Sequence, residues 1–260
     1  MDKIDRRIFL KIASLSIFGF FAPGFLEIVK PEDFINSNKQ INAKKLTAKR
    51  WAMAIDLEII NDDIIKKCIN KCHINHNVPD LGDGKHEIKW IWQEKFNVLF
   101  NEDVIDKYNI SKLYENKSVP VLCNQCDNPP CVRVCPTQAT FSREDGIVVM
   151  DMHRCIGCRF CMAACPYGSR SFNWTDPRPF IDKVNKDYPT RERGVVEKCD
   201  FCMERLDRGK LPICVEESKG SIIFGDIGDK NSKIYKVLSS RLSLRRKVHL
   251  GTRPQVYYLV

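Results

Sequence analysis

The chain has 260 residues, of which 43% are hydrophobic and 29% charged, a composition that is typical of a globular protein and excludes an intrinsically disordered one. Thirteen cysteines are unusual for this length, and their odd number excludes a framework made only of disulfides. The formal net charge of +9 would by itself suggest a nucleic acid or an anionic membrane surface as a partner.

The first segment, residues 1–24, has the pattern of an export signal. Arg6 and Arg7 precede Phe-Leu-Lys, an apolar run follows, and Ala-Pro-Gly ends it, which resembles a twin-arginine signal with Asp5 in place of the usual Ser or Thr. The apolar run is too short to span a bilayer as a helix. The pattern predicts a periplasmic protein that is exported after folding, with an uncleaved N-terminal anchor as the alternative because no cleavage site is clear.

The following residues, 25–50, have no sustained periodicity and predict a linker, so the folded body begins at Trp51. Short apolar runs predict strands at residues 51–57, 88–92, 146–150, 171–174, 194–196 and 221–224. Helices are predicted at residues 64–71, 132–135, 159–164, 201–208 and 232–242. Short elements of both kinds indicate an α+β fold.

Two cysteine runs in the middle of the chain repeat each other. Cys155 to Cys165 has the x2, x2, x3 spacing of bacterial ferredoxins, and Cys123 to Cys135, with x2, x4, x3 spacing, is two residues longer; a proline follows each run. Such a loop brings three sulfurs to three corners of a cubane, with a glycine such as Gly157 where the turn is tight, and the fourth cysteine reaches the neighbouring cluster. The runs therefore predict two 4Fe-4S sites, one with Cys123, Cys126, Cys131 and Cys165, the other with Cys155, Cys158, Cys161 and Cys135.

Zinc is the alternative metal, and it would make the protein a structural interaction module. Zinc sites take cysteines in separated pairs, whereas three cysteines within seven residues followed by Cys-Pro are typical of iron.

The five remaining cysteines flank this region. They are Cys68 and Cys72 before it, and Cys199, Cys202 and Cys214 after it. With them, the body resembles the four-cluster iron-sulfur subunits that accompany membrane oxidoreductases of the dimethyl sulfoxide reductase type. The resemblance implies a double ferredoxin-like fold, with an inner module at about 118–175, an outer module at about 51–80 and 194–228, and a C-terminal extension at 229–260. It also implies a third cluster held by Cys72, Cys199, Cys202 and Cys214.

The family's fourth site is where this sequence departs from the pattern. Ferredoxin spacing counted from Cys68 gives Asp62 and Ile65, and counting past Cys214 gives Ser218. Because three of the four positions lack a thiolate, we expect this site to be empty and Cys68 to be a small buried thiol. A labile cluster with Asp62 or Ser218 as oxygen ligand is the alternative, although oxygen suits such cores poorly.

Several stretches outside the clusters resemble a narrower family, the periplasmic iron-sulfur subunits (DsrO) of the Dsr membrane complexes of dissimilatory sulfur metabolism. They are residues 73–79, 86–92, 122–131, 170–174 and 250–254. This resemblance implies an integral membrane quinone-interacting subunit, a multihaem cytochrome c and further Dsr subunits as partners. The alternative is an electron-transfer subunit of a molybdopterin oxidoreductase such as a polysulfide or tetrathionate reductase.

Charge and motifs narrow the function further. Each oxidised cluster with four thiolates carries about −2, so three clusters and removal of residues 1–24 bring the net charge to about +1, and a nucleic-acid partner is not expected. No phosphate loop, nucleophile elbow or acid-base pair predicts a substrate site, so the chain is not expected to be an enzyme by itself.

The basic residues beside the cluster cysteines are candidates to raise reduction potentials, with a solvated position as the alternative: Arg133, Arg154, Arg159 and Lys198. Structural hydrogen bonding, rather than metal ligation, is expected of His73, His76, His86 and His153.

Overall fold

The computed structural model describes residues 44–82, 84–100 and 113–260. The signal-like segment 1–24 and most of the linker predicted at 25–50 lie outside the described residues. Residues 45–260 form one compact unit. Among the described residues, no helix combines the length and the apolar character that a membrane span requires.

The described elements are short. The strands are β1 (Trp51–Asp56), β2 (Ile91–Lys95), β3 (Ser118–Leu122), β4 (Thr140–Ser142), β5 (Val148–Met150), β6 (Ser171–Phe172), β7 (Val196–Glu197), β8 (Ile222–Asp226), β9 (Ser243–Leu244) and β10 (Val256–Leu259). The helices are α1 (Asp62–Asn75), α2 (Phe96–Leu99), α3 (Pro130–Arg133), α4 (Phe160–Ala163), α5 (Met203–Leu206), α6 (Ile213–Glu217) and α7 (Lys233–Ser240), with 3-10 turns at Arg178–Phe180 and Val248–Leu250. This mixture agrees with the predicted α+β class.

The largest sheet has the strand order β8-β1-β10-β9. β1 runs parallel to β10 and antiparallel to β8. Side chains alternate across β1: Met53 and Ile55 enter the main core, whereas Ala52 and Ala54 face the other way and pack with Ile234 of α7. The small alanines let this helix lie close to the sheet, so both faces of β1 are buried.

Three two-stranded antiparallel sheets precede the cysteine loops. They pair β2 with β3, β4 with β5, and β6 with β7. The loop after β3 begins with Cys123, the loop after β5 leads to Cys155, and the loop after β7 leads to Cys199. The strand pairs therefore fix the start of each cysteine loop.

Helix α1 is longer than the sequence predicted. The side chain of Asn61 accepts a hydrogen bond from the Ile64 amide at 3.0 Å, which starts the helix two residues early. The carboxylates of Asp62 and Asp63 in the first turn stabilise the helix, because they interact favourably with the positive end of its dipole. Cys68 and Cys72 lie four residues apart on its buried face.

Other differences concern the ends of elements and missed strands. The strand predicted at 88–92 is observed at Ile91–Lys95, and those predicted at 146–150, 171–174, 194–196 and 221–224 are observed with different ends. Sequence patterns missed β3, β4, β9, β10, α2 and α6. β3 contains Pro120, which removes a ladder donor and disguises the strand; here the strand pairs only with β2.

Candidate metal centres

All thirteen cysteines are free thiols, so no disulfide network forms. The predicted ligand sets are named here site 1 (Cys72, Cys199, Cys202 and Cys214), site 2 (Cys123, Cys126, Cys131 and Cys165) and site 3 (Cys155, Cys158, Cys161 and Cys135).

Site 2 is the most completely assembled of the three. All four of its cysteines line one cavity, whose other walls are mainly apolar: Pro129, Pro130, Val148, Pro166 and Tyr167. Burial raises the pKa of Cys126 to about 12, and the charges of the other three cysteines act in the same direction. Four converging thiols that oppose each other's ionisation fit a cationic iron-sulfide core, which would stabilise all four as thiolates.

Site 1 is the most deeply buried. Cys72 comes from α1, Cys214 from α6, and Cys199 and Cys202 follow β7; all four side chains are buried. Burial raises the pKa of Cys72 well above its usual value, and the charges of Cys199 and Cys214 add to the effect. The pKa of Cys202 is raised in the same way, by burial and then by Cys214 and Cys72. Three of these residues, Cys72, Cys199 and Cys214, also belong to one core cluster. Ligation of one metal cluster by all four thiols stays a prediction.

Two polar side chains, His76 and Glu204, adjoin site 1 at Cys72 and Cys202. The Nδ1 atom of His76 is 2.9 Å from the Cys72 carbonyl oxygen and 3.5 Å from the Cys72 sulfur, and its Nε2 is 3.3 Å from a Glu204 carboxylate oxygen. His76, Cys202 and Glu204 offer atoms within 4.8 Å of one another. His76 thus makes the structural hydrogen bonds that the sequence predicted.

Site 3 lies in a tight loop before α4. Gly157 has φ +70, and a side-chain carbon there would lie 2.4 Å from the Gly194 carbonyl oxygen, so the turn requires glycine. Burial raises the pKa of Cys161 and outweighs Arg170, which lowers it, while the charges of Cys131 and Cys155 add to the increase. Cys155 packs against the apolar cluster that contains Cys161. Membership of Cys158 and Cys135 in this site stays a prediction.

Cys135 is nevertheless suited to ligation. Burial alone would raise the pKa of its thiol, but hydrogen bonds from Thr140 and Thr137 outweigh burial and lower it. The Thr140 amide donates to the sulfur at 3.5 Å. These donors stabilise the thiolate, which is the form that binds metal.

Site 2 is adjacent to both of the other sites. Cys123 of site 2 packs against the core cluster that contains Cys72, Cys199 and Cys214 of site 1, and Cys131 of site 2 belongs to the same apolar cluster as Cys161 of site 3. The buried side chain of Gln125 joins the first two loops, since its Nε2 donates to the Cys199 carbonyl at 2.8 Å.

The predicted fourth site has a different geometry. Asp62 is exposed at the start of α1, whereas Ile65 and Cys68 are fully buried in the main core. Six residues of helix separate Asp62 from Cys68, which is about 9 Å along the axis. Ser218 is buried, and its hydroxyl donates to the Val215 carbonyl at 2.7 Å. Burial raises the pKa of Cys68 to about 11, and its sulfur is 3.3 Å from the Cys214 carbonyl oxygen.

The basic residues that the sequence singled out differ in their surroundings. Arg133, Arg154 and Arg159 are exposed, whereas Lys198 is buried and its ammonium donates to the Cys199 carbonyl at 2.8 Å. Sequence analysis missed Arg170, which lines the cavity of site 2. It lies outside the cysteine runs, at the start of the stretch 170–174, which the sequence related to the narrower family without giving this residue a role.

Comparisons with known proteins identify the family of the chain and the chemistry of its clusters. Residues 114–179 match a family model described as a 4Fe-4S dicluster domain. The Hdr-like menaquinol oxidoreductase iron-sulfur subunit 1 of Archaeoglobus fulgidus is 37% identical over 98% of this chain and 97% of its own length. A subunit of the tetrathionate reductase of Salmonella typhimurium is 38% identical over 81% of this chain and 72% of its own length.

A third relative is the iron-sulfur cluster-binding subunit of a menaquinone reductase from Nitratidesulfovibrio vulgaris, 35% identical over 81% of this chain and 88% of its own length. These matches confirm the prediction of 4Fe-4S chemistry and the wider family resemblance. The narrower resemblance to Dsr subunits stays a prediction.

Proposed function

Since the chain belongs to the family of iron-sulfur electron-transfer subunits of menaquinol-linked and molybdopterin-type oxidoreductase complexes, we propose that it carries three 4Fe-4S clusters and relays electrons between two partners. The observation that carries this proposal is the adjacency of the thiol sets, in which Cys123 of site 2 packs against the core cluster that contains Cys199 of site 1, and Cys131 of site 2 packs with Cys161 of site 3. Such clusters, when bound, supply one-electron transfer.

The residues of this chain contribute ligation, hydrogen bonding and exclusion of water. The apolar walls of site 2 limit the access of solvent to its thiols, of which Cys126 and Cys131 are buried. Backbone conformation is also adapted, because Phe201 and Cys202 have φ of 57 and 53 and turn the chain sharply around site 1. We propose no substrate site of its own for this chain, in line with relatives that are subunits of larger complexes.

The count of three rests on the helical conformation of residues 62–75. A ferredoxin loop brings cysteines three residues apart to one cubane, whereas this helix carries Asp62 to the surface and Ile65 into the core. We therefore propose that the fourth site holds no cluster. The paired ferredoxin-like arrangement of the modules belongs to the same proposal.

Anaerobic iron analysis with EPR tests the count. Three clusters predict about twelve iron atoms per chain and three reducible centres. About sixteen would mean that the fourth site is filled, and about eight would remove site 1 from the proposal. A colourless protein that contains zinc, without the broad absorption of cubane thiolates near ~400 nm, would refute the iron assignment.

We propose that one partner is a membrane quinone-interacting protein and the other a multihaem cytochrome c or another redox protein of a Dsr-type complex. Support comes from the similarity to a menaquinol oxidoreductase subunit over nearly the full chain and from the residue stretches that resemble those of Dsr subunits. The second candidate, a subunit of a molybdopterin oxidoreductase, is supported by the similarity to the tetrathionate reductase subunit.

Affinity purification from solubilised membranes separates the two candidates. A quinone-interacting membrane protein together with a multihaem cytochrome c is the expected result. A large molybdenum-containing partner would favour the second candidate and refute the first.

A periplasmic location is part of the proposal and rests on the twin-arginine pattern. Replacing Arg6 and Arg7 by lysine together should leave the protein in the cytoplasm. Normal export of that variant would refute the signal assignment.

A further inference from the structure

Arg170 is a buried cation that faces the cavity of site 2. Only 5% of its surface is exposed, and it lies immediately before β6. Its Nη1 donates to the Thr140 hydroxyl at 3.1 Å and is 3.7 Å from the Met150 sulfur. Its Nη2 is buried without a hydrogen-bond partner among the described residues. A guanidinium is thus held in place with one donor group left for the cavity.

The counter-charges of Arg170 are cluster cysteines. In the described part of the chain no carboxylate forms an ion pair with it; the charges that act on it are those of Cys131, Cys161 and Cys123. Arg170 lines the same cavity as Cys123 and Cys131, so the guanidinium is close to these sulfurs. A buried charge is costly unless it is compensated, so the thiolates of sites 2 and 3 are what makes this position tolerable.

A second buried arginine shows the contrast. The guanidinium of Arg191 is 2.5 Å from the carboxylate of Glu197, and both side chains are fully buried. The charge of Arg191 is therefore neutralised by a residue that ligates no metal. The charge of Arg170, which no carboxylate of the described residues neutralises, can therefore interact with sites 2 and 3.

We propose that Arg170 raises the reduction potentials of sites 2 and 3 above the values that their ligands alone would give. This inference rests on the proposed function, because it requires clusters in both sites. One electron added to a site makes that site more negative by one charge, and a fixed cation stabilises the reduced form more than the oxidised form. Site 1 should respond less, since the charges that act on Arg170 belong to sites 2 and 3.

The test is a potentiometric EPR titration of the full chain carrying Arg170→Met. At the potential where site 2 is half reduced in the native protein, the ratio of reduced to oxidised site 2 should fall at least tenfold, which is about 59 mV for one electron. Site 3 should shift in the same direction, and site 1 by less than threefold. Arg154→Gln is the matched control, because it removes a charge one residue from Cys155 in an exposed ion pair. Its effect should also stay below threefold.

Two further variants keep the outcome decisive. Arg170→Lys retains the charge and should keep sites 2 and 3 within threefold of native; a shift as large as that of the methionine variant would overturn the proposal. Arg170→Gln is a second neutral variant. Loss of iron from both neutral variants would overturn the proposal, because Arg170 would then be required for assembly of the clusters rather than for their potentials. Full iron content with unmoved potentials would also refute the role of Arg170. A native protein without clusters would instead refute the proposed function.

Discussion

Glu197→Gln should destabilise the protein strongly, because it removes the counter-charge of a buried arginine. The Glu197 carboxylate accepts hydrogen bonds from the Trp90 indole at 2.8 Å and from the Asn173 amide at 2.5 Å, and it pairs with Arg191 at 2.5 Å. Arg191 also donates to the His76 carbonyl oxygen, just beyond α1. Through Arg191, the Glu197 carboxylate thus connects the β6–β7 strand pair to α1, the helix that carries Cys72 of site 1.

The expected loss is about 3–5 kcal/mol, the usual cost of leaving one member of a buried ion pair without its partner. For a unit of this size each kcal/mol moves the melting temperature by about 2–4 °C, so the shift should be about 6–20 °C. The assay is anaerobic thermal unfolding by circular dichroism at matched iron content.

The control is Glu192→Gln, because the Glu192 side chain is 80% exposed and lies 3.9 Å from Arg178. That variant should lose at most about 1 kcal/mol. Adding Arg191→Met to Glu197→Gln should recover part of the loss, since the uncompensated charge is then gone. A shift below about 3 °C for Glu197→Gln alone would refute the reasoning.

The remaining predictions concern ligands, a turn and acid sensitivity. Cys72→Ser should lower the iron content by about a third, whereas Cys68→Ser should leave it unchanged; equal losses would contradict the ligand assignment. Gly157→Ala should reduce assembly of site 3, because the new carbon would lie 2.4 Å from a backbone oxygen. Gly168→Ala, with φ +64 and open space around it, should cost only about 1–2 kcal/mol, and equal iron loss in both would count against the steric argument. Burial would raise the pKa of Asp207, but its arginine and lysine partners outweigh burial and lower it. Its contribution to stability is therefore present above the unfolded pKa of about 3.9 and is lost as the pH falls through the lower folded pKa. In Asp207→Asn the free energy of unfolding should therefore fall less steeply as the pH is lowered. An unchanged slope below about pH 4 would contradict this.

The parts of the sites that follow from local spacing could be predicted from the sequence. Cys123, Cys126 and Cys131 lie within nine residues, and a loop that short brings its sulfurs together without help from distant elements. Cys165 joins them because its run repeats theirs. All four line one cavity in the structure.

Features that depend on distant contacts could not be predicted in this way. Arg170 comes close to Thr140 and three cysteines only after the strand pairs have formed. Its neighbours in the sequence do not indicate that a cation lies beside a cluster. The early start of α1 depends on the Asn61 side chain, and the sequence does not distinguish this asparagine from one in a loop until its hydrogen bond with the Ile64 amide is seen. β10 was missed because a short apolar run near basic residues has no clear period.

The position of β10 has a consequence for biosynthesis. Residues 256–259 lie between β1 and β9, and Met53 is paired with Val256 across about two hundred residues of intervening chain. The main sheet therefore cannot close until the ribosome has made nearly all of the unit, and pairing over such a separation is slow. Cys72 follows β1 on the next helix, so site 1 can reach its final geometry only after that late step. Iron-sulfur loading of site 1 should accordingly follow translation rather than accompany it, and a chain truncated before residue 256 should fail to retain that metal.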